Sequence, residues 1–115
     1  MNLLQSLFGP PLPSVSAQEL NDKLKSPKRP LVLDVRQPEE FRAGHIVGSK
    51  LIPLNELGRR LNELPKDREI VCVCASGNRS RSAAKLLLRG GYNAVNMSGG
   101  MGAWSRAKLT VKTGG

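Results

Sequence analysis

The stretch Ile70-Val71-Cys72-Val73-Cys74-Ala75-Ser76-Gly77-Asn78-Arg79-Ser80 runs from a wholly apolar segment into a short polar loop, and Ser82-Ala83-Ala84-Lys85-Leu86-Leu87-Leu88 follows with the composition of a helix. A buried strand passing directly into a helix is the building unit of an α/β domain. The turn between them aims several backbone N–H groups at one point, where the helix dipole also favours negative charge. Cys74 stands at that point. A thiolate there is stabilised, so its pKa is expected to lie below the roughly 8.5 of a free cysteine, with more of it nucleophilic near neutrality.

The charges around the loop support this. Arg79 and Arg81 fall in or beside the first helical turn, where Asp or Glu is preferred, and each such placement costs about 0.3–1 kcal/mol unless an anion offsets it. A thiolate and a bound oxyanion would do so. Gly77, between Ser76 and Asn78, lets backbone amides curl into a concave nest. Cys72 lies inside the strand and reads as a small buried hydrophobe.

Working outward, Ala94-Val95-Asn96-Met97 after Gly90-Gly91 and Leu31-Val32-Leu33 after Pro27 and Pro30 are two further short strands. Ser16 and Glu19 form a capping box that opens a helix to about Lys25. Pro38, Glu39 and Glu40 suit the start of another, with Gly44 as its terminator. Leu54, Leu57, Leu61 and Leu64 recur at helical spacing before Pro65, which predicts one helix with a core-facing leucine stripe. Strands alternating with helices predict an α/β domain with a mostly parallel sheet, whose sites form beyond the carboxyl ends of the strands. Asp34 and Cys74 both sit at such ends. Asp34 and Arg36 read as a scaffold that orients neighbouring loops, His45 as structural, and Trp104 as a core residue.

The 115 residues, 39% of them apolar, suffice for one domain. Gly9-Pro10-Pro11-Leu12-Pro13 is a rigid lead-in, and Thr110 to Gly115 reads as a disordered tail. The single histidine and the two cysteines do not fit metal-ligand spacing. Cys72 and Cys74 are too close in sequence for an ordinary disulfide, so reduced thiols and a cytoplasmic location are expected. Eighteen Lys and Arg against nine Asp and Glu give a formal charge of +9, which attracts anions in general. The basic residues are dispersed and the few aromatics do not interleave with them, which argues against nucleic acid as partner. No apolar run is long enough to span a membrane, and the opening Met1 to Phe8 lacks the charged start and cleavage site of a signal peptide.

Three further pieces carry a family resemblance: Leu33-Asp34-Val35-Arg36-Gln37-Pro38-Glu39-Glu40-Phe41, then Gly44-His45-Ile46-Val47-Gly48-Ser49 with Ile52-Pro53, and Ser98-Gly99-Gly100-Met101-Gly102-Ala103-Trp104. In this order around the cysteine loop, they resemble the single-domain rhodanese-like sulfurtransferases over about residues 14 to 107. Residues 1–13 are then a lead-in and residues 108–115 a tail. The resemblance implies a three-layer fold with helices flanking a mostly parallel central sheet. It also implies a thiosulfate sulfurtransferase-type enzyme of sulfur metabolism that carries sulfane sulfur as a persulfide on Cys74. The loop Ala75, Ser76, Gly77, Asn78, Arg79 and Ser80 would hold the persulfide, and Arg79 would steer the donor. The expected partners are a small anionic donor such as thiosulfate and cyanide, a cellular thiol or a protein thiol as acceptor, with no metal or organic cofactor. Ala75 departs from the arginine that many members carry, which removes a cation from the rim. Phosphatases and arsenate reductases of similar fold carry a loop one residue longer than Cys74 to Arg79. A non-catalytic binding module of the family would lack the cysteine.

Overall fold

The computed structural model of the chain describes residues 11–115, so the opening apolar segment and the first part of the expected lead-in lie outside the described residues. Five strands, Ser14–Val15 (β1), Leu31–Asp34 (β2), Lys50–Leu51 (β3), Ile70–Val73 (β4) and Ala94–Met97 (β5), form one sheet in the order β1-β5-β4-β2-β3. Every neighbouring pair is parallel. The helices are Ala17–Lys23 (α1), Pro38–Ala43 (α2), Leu54–Leu57 (α3), Asn78–Arg89 (α4) and Gly100–Arg106 (α5).

The central strands are largely buried and, apart from Asp34 and Asn96, apolar, because both faces of the sheet are covered. Leu33, Ile70, Cys72 and Ala94 point to one side, where they pack with Leu57, Leu64 and the Ala83, Ala84 and Leu87 stripe of α4. Val32, Val71, Val73, Val95 and Met97 point to the other, against Leu20 of α1 and Trp104 of α5. Two cores on opposite faces make the three-layer α/β arrangement expected from the sequence. β2 and β4 end level with each other, Asp34 paired with Val73, so the chain leaves both strands on the same edge of the sheet. That edge holds the cysteine loop.

The helix ends follow their local chemistry. Ser16 Oγ accepts from the Glu19 N–H at 3.0 Å and Glu19 Oε1 accepts from the Ser16 N–H at 2.8 Å, the capping box of α1. Pro38 opens α2 and Gly44 closes it.

Two expectations are corrected and two strands are added. The leucine stripe does not form one helix: α3 stops at Leu57, and after Gly58 the chain makes a separate 3-10 turn over Leu61–Glu63. Glycine disfavours helix interiors. Arg60 leaves helical geometry at φ −120° and ψ 16° while its guanidinium binds both Glu56 (2.9 Å) and Glu63 (2.7 Å). Leu57 and Leu64 are nevertheless buried. β1 and β3 were not foreseen, since two residues carry no readable alternation. The segment after α5 is not a loose tail, because Lys112 and His45 exchange two backbone hydrogen bonds (2.8 and 2.9 Å) and the Gly114 N–H donates to the Arg42 carbonyl. Trp104 Nε1 donates to the Thr110 carbonyl at 3.1 Å. Among the described residues no helix is long and apolar enough to cross a membrane.

Candidate active site

The cysteine loop is held from outside by the glycine turn that precedes α5. The Met101 and Gly102 N–H groups, at the start of α5, donate to the carbonyls of Cys74 (2.7 Å) and Ala75 (3.0 Å). This contact requires Gly100: a Cβ there would overlap the Cys74 carbonyl oxygen and lie 2.6 Å from that of Ala75, and its φ is +57°. With its carbonyls engaged outward, the loop turns its amides inward. The Gly77 N–H donates to Cys74 Sγ at 3.0 Å, from a residue at φ +103° that caps α4. The helix begins at Asn78, so Asn78 and Ser80, assigned to the loop in the sequence, form its first turn together with Arg79, which was expected in or beside that turn.

On the other side Sγ meets Ser80 Oγ at 3.3 Å, and Ser80 Oγ donates to Asn96 Oδ1 on β5 at 2.5 Å. Cys74 and Ser80 have no exposed surface. Burial is the largest single influence on the Cys74 thiol and pushes its pKa up. Hydrogen bonds from the Ser80 hydroxyl and from the Ser80, Gly77 and Ser76 backbone outweigh it together, and the thiol lies below its ordinary value. Cys72, two residues away, is driven up to about 12 by burial and by the neighbouring Cys74 charge. The surroundings thus shift the two thiols in opposite directions, Cys74 toward its anion and Cys72 toward its neutral form.

At the rim the structure differs from the expectation for Arg79. Its guanidinium is not free to meet an incoming anion, being held by Glu40 of α2 in two hydrogen bonds of 2.8 and 2.9 Å. Hydrogen bonding to Arg79 is the main cause that brings Glu40 down to about 2, against its partial desolvation. Arg81, Ser76 and Asn78 are exposed and Ala75 is half-buried. Beneath the rim, Asp34 and Arg36 form a buried ion pair at 2.8 Å, and Arg36 also donates to the Gly44 carbonyl. This ties β2 to the end of α2. His45 Nδ1 donates to the Phe41 carbonyl at 2.8 Å and its ring stacks on Phe41. Both therefore serve the scaffold around the site.

Four contributors escaped the sequence reading. Glu40 looked like any acidic residue of a first helical turn, and the amides of Met101 and Gly102 leave no trace in a sequence. Asn96 did leave one, as the single polar side chain in the apolar run of β5. Among the described residues no group of three or more His, Cys, Asp or Glu is placed to hold a metal ion.

A family model described as "Rhodanese-like domain" matches residues 16–107. A protein of Allochromatium vinosum named "Sulfurtransferase" is 35% identical over 98 residues, covering 84% of this chain and 92% of that protein. The crystal structure of a rhodanese-related protein from Thermoplasma volcanium superposes with a TM-score of 0.83 at 34% identity, over 89% of this chain and 99% of that one. A rhodanese-like domain protein from Staphylococcus aureus gives 0.81 at 37% identity, over 89% and 100%.

Proposed function

Since the chain belongs to the rhodanese-like domain family, we propose that it is a sulfurtransferase whose Cys74 carries sulfane sulfur as a persulfide. Membership and the sulfurtransferase relative support sulfur transfer in general. The observation that carries the finer reading is the hydrogen bonding of Cys74 Sγ by the Gly77 amide and Ser80 at the start of α4.

The Cys74 thiolate attacks the outer sulfur of a donor such as thiosulfate. A Cys74–S–S⁻ bond forms, the donor S–S bond breaks, and its electron pair leaves with sulfite. The persulfide then gives its outer sulfur to cyanide, forming thiocyanate, or to a cellular or protein thiol, forming a new persulfide, and the thiolate returns. No redox partner is needed, because the outer sulfur only exchanges one nucleophile for another. The resting sulfur is buried, but the outer atom of a persulfide lies about 2 Å farther out and is the one presented to an acceptor. Loop amides aimed at this anion need no reorganisation during transfer. Ala75 is neutral and Arg79 is paired with Glu40, so recognition of an anionic donor rests on the amides and on the chain's positive charge. Two free cysteines suit a reducing compartment such as the cytoplasm.

Thiocyanate formation from thiosulfate and cyanide tests the reading. It is expected for the native protein and for Cys72→Ala, and lost in Cys74→Ser. Turnover that survives Cys74→Ser overturns it.

A further inference from the structure

The buried asparagine on β5 bears on how the nucleophile changes charge. Register pairs Asn96 with Cys72, and side chains alternate along a strand, so Asn96 shares the sheet face that carries Cys72 and Cys74. An amide at 3% exposure in an apolar strand costs free energy unless it is hydrogen-bonded. Among the described residues its side-chain hydrogen bond is the one from Ser80, whose oxygen also meets Cys74 Sγ.

A hydroxyl has one proton to donate. While Ser80 donates to Asn96 Oδ1, it can only accept from sulfur, which suits the neutral thiol. A thiolate or persulfide anion can only accept, so Ser80 must then point its proton at sulfur. It can do so without stranding Asn96 if the amide makes a half-turn and Nδ2 donates to Ser80 Oγ. An amide offers an acceptor and a donor at interchangeable places; a carboxylate only accepts and an alkyl group does neither.

We propose that Asn96 is a positioning residue whose amide turns over as Cys74 loses its proton, releasing the Ser80 hydroxyl from the amide oxygen to the sulfur anion. The thiol proton leaves to water, and Ser80 and Asn96 keep theirs. The inference rests on the reading of Cys74 as the thiolate nucleophile and adds the group that frees one of its hydrogen bonds. The charged or titratable groups around the sulfur are Cys72 on β4, Arg79 on α4 with Glu40 of α2, and the pair formed by Asp34 at the end of β2 and Arg36 just beyond it. β5 brings none, and α5 brings Arg106, whose guanidinium folds back toward Gly102.

The test is a pH titration of the full chain by NMR, with label on the cysteine Cβ carbons and asparagine side-chain amides. The Asn96 Nδ2 resonances are expected to move with the same midpoint as the Cys74 Cβ, and to stay still in Cys74→Ser. Asn96→Asp fixes the Ser80 proton on an acceptor and should raise the Cys74 midpoint by about one unit or more. Asn96→Leu leaves sulfur as the remaining partner and should not raise it. A merely structural role predicts the opposite order, since the near-isosteric change is the gentler one. If the upward shift acts through Ser80 rather than through the new charge, most of it disappears in the Ser80→Ala background. Asn96 resonances that stay flat through the native Cys74 titration overturn the proposal, whether or not the variants fold, as does an equal shift without Ser80. A low Cys74 midpoint with a flat Asn96 sinks this inference alone. A Cys74 that titrates like a free thiol sinks it together with the persulfide reading.

Discussion

At the residue scale the site is a contest over one sulfur atom, with burial favouring the thiol and hydrogen bonds favouring its anion. The sign of the pH dependence follows. A group with a lowered pKa in the folded state adds stability that is present above its unfolded value and is lost as pH falls through the folded one. Sulfur loading needs the thiolate and should decline on the acid side of the Cys74 titration, and Arg79→Ala, which removes a nearby cation, should move that midpoint upward in an alkylation-rate profile. Glu40, at about 2, remains ionised through that range, so the decline belongs to the thiol. Glu40→Gln releases the Arg79 guanidinium toward an anionic donor, and the KM for thiosulfate should fall about threefold to tenfold. An unchanged KM would show that Arg79 does not reach the donor even when free. Cys74 was legible because its place between an apolar strand and a basic first turn has a physical meaning in one dimension. The Glu40 ion pair was not, because 39 residues separate its partners.

At the element scale, the elements with strong local signals were readable: the capping box of α1, Pro38 and Gly44 around α2, and the largely apolar runs of β2, β4 and β5. β1 and β3 exist because neighbouring strands offer them hydrogen bonds, which is tertiary information. The Gly99-Gly100 pair was visible in the sequence as part of a family motif, but the amides behind it became visible only in the fold. Gly100→Ala tests that contact. A Cβ there meets the Cys74 and Ala75 carbonyls, and the overlap together with the positive φ should cost about 1–3 kcal/mol. Denaturant unfolding is expected to show a lower midpoint. The thiol titration of the folded variant should also move toward the free-cysteine value, because the displaced loop no longer aims its amides. Lost stability with an unaltered thiol would mean that α5 supports the fold without shaping the site.

At the scale of the whole molecule, the α/β class and the parallel sheet followed from the order of strands and helices and the three-layer plan from the family resemblance, whereas the segment after α5 was misjudged because its sequence is polar and glycine-rich. Its partners, His45, Arg42 and Trp104, come from elsewhere in the chain. Removing residues 110–115 takes away four hydrogen bonds, at a net contribution of roughly 0.5–1.5 kcal/mol each before the entropy of ordering the segment is subtracted. The thermal midpoint should therefore fall while sulfur loading at moderate temperature persists. The whole account turns on where sulfur is carried, and the intact mass of the protein after thiosulfate treatment reports that directly. One added sulfur atom is predicted, mapped by peptide analysis to Cys74, removed by cyanide and absent in Cys74→Ser. No adduct on the folded native protein, or one located on Cys72, would contradict it.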